Sequence, residues 1–164
     1  MTEQVETMMR VKGCFHLNIV DEDGTIVGDS GPVYNIVTTG GFQTIGLLIG
    51  TALSGTQWSH LNVGTNGTPA SNATSLPSEV SGTSGAVQRT TATAATQAGS
   101  KTLRFTGTLA SADSFVTTTE TINNVGIFNH SSAASLMAGA SYTASSVGTN
   151  QAVNITYDLV FETA

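Results

Sequence analysis

From Ala152 to Glu162 large apolar and polar residues alternate. Val153, Ile155, Tyr157, Leu159 and Phe161 take one parity, and Asn154, Thr156, Asp158, Val160 and Glu162 the other. A period of two with β-branched and aromatic residues on one side predicts a half-buried antiparallel strand. One strand cannot bury five large side chains by itself, so the rest of the chain must supply their cover. The same alternation puts Val11, Gly13, Phe15, Leu17 and Ile19 on one face of a first strand, Met8 to Val20, and turns Cys14 and His16 to the other.

Between these ends the pattern breaks into short pieces. Asp21-Glu22-Asp23-Gly24 predicts a turn with Gly24 at positive φ, and Thr25 to Gly28 a returning strand. Phe42, Ile45, Leu48, Ile49 and Ala52 or Leu53 recur at helical spacing, which predicts one helix from about Thr39 to Ala52 ended by Gly55. Gly46 and Gly50 weaken it and suit close packing. Trp58 to Gly64 predicts a strand, Asn66-Gly67 a turn, and Pro69 to Gly85 a long loop anchored by Leu76 and Val80. Glu79 is the only charge of that loop, and Arg89 is its expected partner. Ala86 to Thr96, Lys101 to Leu109, Phe115 to Ile122 and Val125 to Asn129 add strands. Leu136 to Ala144 and Val147 to Phe161 are expected to close the chain as a hairpin.

These elements predict a mainly β protein. It is an antiparallel β-sandwich, jelly-roll-like, of about eight strands with one short helix near residues 39–53. Residues 1–7 are expected to form a flexible N-terminal arm and 8–164 a single domain.

Composition narrows the function. Only 10% of the 164 residues are charged, and roughly a quarter are Ser or Thr, so the surface carries hydroxyls and amides in place of charge. Net charge is −6, and the five cations, Arg10, Lys12, Arg89, Lys101 and Arg104, form no basic run, which argues against direct nucleic-acid binding. A single cysteine, Cys14, excludes an internal disulfide framework. Ile45 to Gly50 is far shorter than the ~20 residues of a membrane span. The acidic, polar MTEQVETMMR start does not resemble a signal peptide, so the expectation is a soluble product of the cytoplasm in which it is made.

Candidate chemistry is sparse. His16, His60 and His130 fit no metal-ligand spacing, and the acidic turn at 21–24 lacks the oxygen ligands and late Glu of a calcium loop. No nucleophile elbow or P-loop is present. Asp113, Glu120 and Asp158 are available for a carboxylate pair, with few aromatics to stack a sugar. The sequons at Asn66, Asn72, Asn129 and Asn154 follow from an Asn/Ser/Thr-rich composition. No residue is assigned to catalysis, to a cofactor or to a metal, and the expectation is a non-enzymatic protein without cofactors.

The order of motifs carries more. Asn35, Val37, Thr38 and Gly41 precede the helix. LNVGTNGTPASNATSLPSEV (Leu61 to Val80) follows it, with Gly64, Thr65, Gly67, Thr68, Pro69, Leu76 and Glu79 as the distinctive positions. TINNVGIFNHSSAASLMAGASYT (Thr121 to Thr143) and VNITYDLVF (Val153 to Phe161) complete the series. In this order the segments resemble small virion structural proteins of tailed bacteriophages. The chain departs from their pattern at Asn124 and Val125, where they commonly carry an acid and an apolar residue before the glycine. The resemblance implies a virion location and a capsid decoration (cement) protein that binds the outer head surface and bridges capsomers. Its partners would be the major capsid protein and further copies of itself in a homo-oligomer, a trimer being one form, with no membrane contact. The N-terminal arm and the loop at Pro69 to Gly85 would be the contact segments. The alternative is a tail, collar or fibre component, an adaptor or host-receptor module, for which Trp58, Tyr34, Tyr142 and Tyr157 are the candidate aromatics.

Overall fold

The first and last strands pair along their whole length. In the computed structural model, which describes residues 9–50, 57–82, 89–96, 101–133 and 135–163, β1 (Met9–Val20) and β11 (Ala152–Thr163) run antiparallel from Met9↔Thr163 to Val20↔Ala152. The alternation makes this register productive. Phe15 faces Tyr157 and Leu17 faces Ile155 on the inner side, while Cys14 faces Asp158 on the outer. Val153, Ile155, Tyr157 and Leu159 are all buried, as their parity predicts.

Two antiparallel sheets form around this pair. Sheet A has the order β2 (Ile26–Asp29), β1, β11, β8 (Thr102–Leu109), β7 (Thr93–Thr96), with β3 (Val33–Tyr34) also on β1. Sheet B has the order β4 (Ile36–Val37), β10 (Leu136–Val147), β9 (Glu120–Phe128), β5 (His60–Gly64), β6 (Thr90–Thr91). The sheets are joined at both sides by strands that change sheet. At Asn35 the chain leaves β1 and passes to β10, and at Ala92 it leaves β5 and passes to β8. Such corners let a sandwich close with few free edges. The result is a ring of eight positions (β3/β4, β1, β11, β8, β7/β6, β5, β9, β10), with β2 as an extra strand beside the far end of β1.

One apolar cluster fills the space between the sheets. Phe15 and Tyr157 lie with ring centroids 4.5 Å apart, and Trp58 and Phe105 lie 6.1 Å and 6.0 Å from Tyr157. Tyr157 is fully buried, and its hydroxyl accepts a bond from Asn35 Nδ2 at 3.3 Å, so the corner residue of one edge is tied to the middle of sheet A. Burial pushes the phenol well above its ordinary range, with the Asn35 bond opposing.

The helix α1 (Thr39–Gly50) packs on β10. Thr38 caps it, accepting from the Gly41 N–H at 3.1 Å while its hydroxyl donates to the Leu136 carbonyl at 2.7 Å. The buried face differs from the expected one. Phe42 is 53% exposed, and Gly41 and Thr44 are buried in its place. The reason is close approach, since a Cβ at Gly41 would collide with the Met137 carbonyl. The expected contributions of Gly46, Leu48, Ile49, Gly50, Ala52, Leu53 and Gly55 lie outside the described side chains, and the N-terminal arm at 1–7 outside the described residues.

Two further expectations are corrected. β10 and β11 are consecutive but are not a paired hairpin, because β10 belongs to sheet B and β11 to sheet A. Val147 and Val153 are both fully buried, so the turn at Gly148 to Gln151 carries the chain across the core. Phe115 to Ile122 is a strand only from Glu120. Before it comes a single 3-10 turn at Ser111–Asp113, and Phe115 and Val116 are buried outside any strand.

Candidate interaction surfaces

The outer face of sheet B is covered by the protein's own loop. Residues 65–82 lie across it, starting from a bridge between Gly64 and Glu79. Leu76 packs against Phe128 and Leu136 in a small apolar cluster of its own. Gly126 and Gly139 leave the room this needs. A Cβ at the first would meet Leu136 and Leu76, and one at the second would meet Pro69.

Polar groups fix the loop more tightly than its two apolar anchors. Asn124 is fully buried, and its Nδ2 lies 3.1 Å from the carbonyl oxygens of Asn66 and Pro77 and 3.2 Å from that of Gly67. Asn62, also fully buried, donates to Glu79 Oε1 and to the Val80 carbonyl, each at 3.0 Å. Glu79 is in turn gripped by Arg89 at two points, Nε to Oε1 at 2.7 Å and Nη2 to Oε2 at 3.0 Å. Arg89 Nη1 also donates to the carbonyls of His130 and Ala133, both at 2.8 Å, and the guanidinium stacks 3.5 Å from the Phe128 ring centre. Buried carbonyls and carboxylates need such partners, and a bidentate guanidinium gives the most directional one.

Sequence reasoning found the Glu79–Arg89 pair and the anchors Leu76 and Val80, but it missed Asn62 and Asn124. Both sit at outward positions of strands, where an asparagine looks like surface. No local signal in either strand marks these positions, because what buries them is a loop distant in sequence.

No loop among the described residues covers the outer face of sheet A as residues 65–82 cover that of sheet B. The charges of sheet A pair across strands: Lys12 with Glu162 at 2.7 Å, His16 with Asp29 at 2.7 Å, and Arg104 with Asp158 at two points of 2.7 Å. The Gly31 N–H and then the His16 ring hold the Asp29 carboxyl below its ordinary range. Between these pairs run hydroxyls and amides, with Thr93 beside Thr106, Thr106 beside Thr156, and Thr108 beside Asn154. Cys14 is part-buried on this face, and desolvation raises its pKa.

The residues weighed for chemistry do not gather in one place. Asp158 is tied to Arg104 on sheet A, Glu120 lies at the start of β9 near Thr118, and Asp113 lies in the 3-10 turn. Arg89 and His130 lie within electrostatic reach of His60, and His16 stands apart on sheet A. Burial, then the charges of Arg89 and His130, holds the His60 pKa below its ordinary value. Among the described residues no group of three His, Cys, Asp or Glu side chains is placed to hold a metal ion. No described helix is long and apolar enough to cross a membrane.

Comparison with protein-family models, curated proteins and solved structures gives no match.

Proposed function

We propose that this chain is a non-enzymatic structural protein of a tailed-bacteriophage virion, a decoration protein that binds the outer head surface as a homo-oligomer and bridges capsomers. One observation carries the reading. The two most distinctive segments of the virion-protein resemblance are docked on each other in space. Gly64 to Glu79 forms the pinned loop, and Thr121 to Thr143 supplies the strands beneath it through Asn124, Gly126, Phe128, Leu136 and Gly139. Motifs that share one packing unit are more specific together than either is alone.

The physics suits the role. A small rigid sandwich presents a nearly self-neutralised face, and many copies each burying modest area stabilise a shell additively, because binding to the assembled state shifts its equilibrium against disruption. The alternative, a tail, collar or fibre module that stacks host glycans, has less support. Of its four candidate aromatics, Trp58 and Tyr157 are buried, Tyr142 has its hydroxyl buried, and Tyr34 alone stands out at 78% exposure.

The test is addition of the purified protein to heads stripped of their decoration. Saturable binding at a fixed number per capsomer, with heads that then survive heat better, supports the reading. Attachment to tails or host cells with no head binding rejects it in favour of the alternative.

A further inference from the structure

We infer that the side wall formed by residues 21–42 is the surface through which two copies of this chain associate about a two-fold axis. This deepens the homo-oligomer part of the proposed function and rests on that part alone, since it needs no capsid.

The wall is set apart by what it exposes. Ile26, Val27, Tyr34, Ile36 and Phe42 are the large hydrophobic residues that stand exposed among the described residues, and all five fall in this one stretch. The stretch runs up the edge of sheet A as β2 and β3, crosses at Asn35, and continues as β4 and the start of α1. A concentration of exposed apolar side chains on an otherwise hydroxyl-rich protein marks an association site. β2 also has no strand on its outer side among the described residues, so its backbone groups there are open to a further strand.

Charge selects the occupant and its direction. At one end of the wall lies the hairpin tip with Asp21, Glu22 and Asp23. At the other end, past Tyr34 and its neighbour Cys14, β1 is the edge of sheet A among the described residues and carries Lys12 and Arg10. Lys101 lies beyond on the approach to β8, level with Val11, and Glu162, paired with Lys12, offsets part of this charge. Acidic and basic ends therefore sit at opposite ends of one apolar wall. A second copy laid antiparallel on the first brings each acidic tip to the other's basic end and apolar residues to apolar residues, which is the self-complementarity a two-fold interface requires. A parallel arrangement sets like charges together. The size is sufficient. The wall flanks β1 from Gly13 to Val20, about 27 Å by strand geometry, and is ~20 Å thick across two sheets, or roughly 540 Å² per copy, which clears the ~1,000 Å² total of a biological interface.

The experiment is the mass in solution by sedimentation equilibrium, over a range of concentrations and at low and high salt. The expected result is a dimer that weakens with salt. Tyr34→Lys and Ile26→Lys should each weaken it at least ~10-fold, as central interface residues do. Reversal of the tip (Asp21→Lys, Glu22→Lys and Asp23→Lys together) should also weaken it, and adding Arg10→Glu with Lys12→Glu should restore it. All these positions are at the surface, and circular dichroism checks that each variant is folded. A monomer at every concentration, a trimer, or a dimer indifferent to these changes overturns the inference. Head binding by the same proteins separates the two readings. A monomer that binds heads overturns the wall and the homo-oligomer part of the proposed function but keeps head binding, whereas a dimer of the expected behaviour that binds no heads supports the wall and rejects the head-decoration reading.

Discussion

Arg89 and Glu79 form a two-point ion pair out of reach of solvent, with 2% and 7% of their side chains exposed. Each partner is also used elsewhere. Glu79 accepts from Asn62, and Arg89 holds two carbonyls of the turn after β9. The pair thus connects the loop over sheet B to the turn between β9 and β10.

Breaking one side should cost more than removing both. Arg89→Met leaves the Glu79 carboxylate buried without its cation, a situation that costs about 3–5 kcal/mol in proteins. Arg89→Met with Glu79→Gln removes the charge and keeps an acceptor for Asn62, so it should recover a large part of the loss. Urea denaturation of the single and double variants measures this. A double variant no more stable than Arg89→Met would show that the pair is not the organising contact.

Acid should weaken the fold through His60. Its folded pKa is lowered from 6.5, so between the two values the unfolded chain binds more protons than the native one. Stability should then be complete above pH 6.5 and be lost as pH falls below it, levelling off below the folded pKa. The charged groups facing the ring are Arg89 and His130. Denaturation midpoints measured across this range should show the slope in the native protein and a smaller one in His60→Gln. An equal slope in both would assign it to other groups.

Asn124 should matter out of proportion to its size. Asn124→Ala deprives three loop carbonyls of their shared donor, and an unsatisfied buried polar group costs about 1–3 kcal/mol. Hydrogen exchange should localise the change, with amides of the 65–82 loop, such as Thr65 and Val80, losing protection well before those of β1 and β11. Uniform loss of protection would mean that the loop and the sandwich open together.

The fold was legible where one physical signal dominates. The alternation at Gly13 to Ile19 and at Val153 to Leu159 survives in the structure residue by residue, because each strand has one face on the core. Gly24 and Gly67 take the positive φ their turns require, 84° and 78°. Legibility ended where a residue's role depends on something distant in sequence. Phe42 looks like a core residue until Gly41 brings the helix backbone onto Met137. β10 and β11 look like a hairpin because nothing local says which sheet a strand joins. Asn62 and Asn124 look like surface until the loop covers them.

Gly13 offers a test of how closely the Asn35 corner is tied to the core. A Cβ at this position would overlap both Asn35 Oδ1 and the Tyr157 hydroxyl. Gly13→Ala must therefore push Asn35 aside and break its 3.3 Å bond to Tyr157, and overpacking of this kind costs about 1–3 kcal/mol. Tyr157→Phe alone loses one hydrogen bond and should cost about 1 kcal/mol. The two changes share an atom, so they should not add. With the hydroxyl gone, part of the space the new methyl needs is free, and the double variant should be more stable than the sum of the single losses predicts, by at least about 0.5 kcal/mol. A chemical-denaturation cycle on the four proteins measures the coupling. Strict additivity would mean that the bond survives in Gly13→Ala, the methyl being accommodated without moving Asn35 off the phenol.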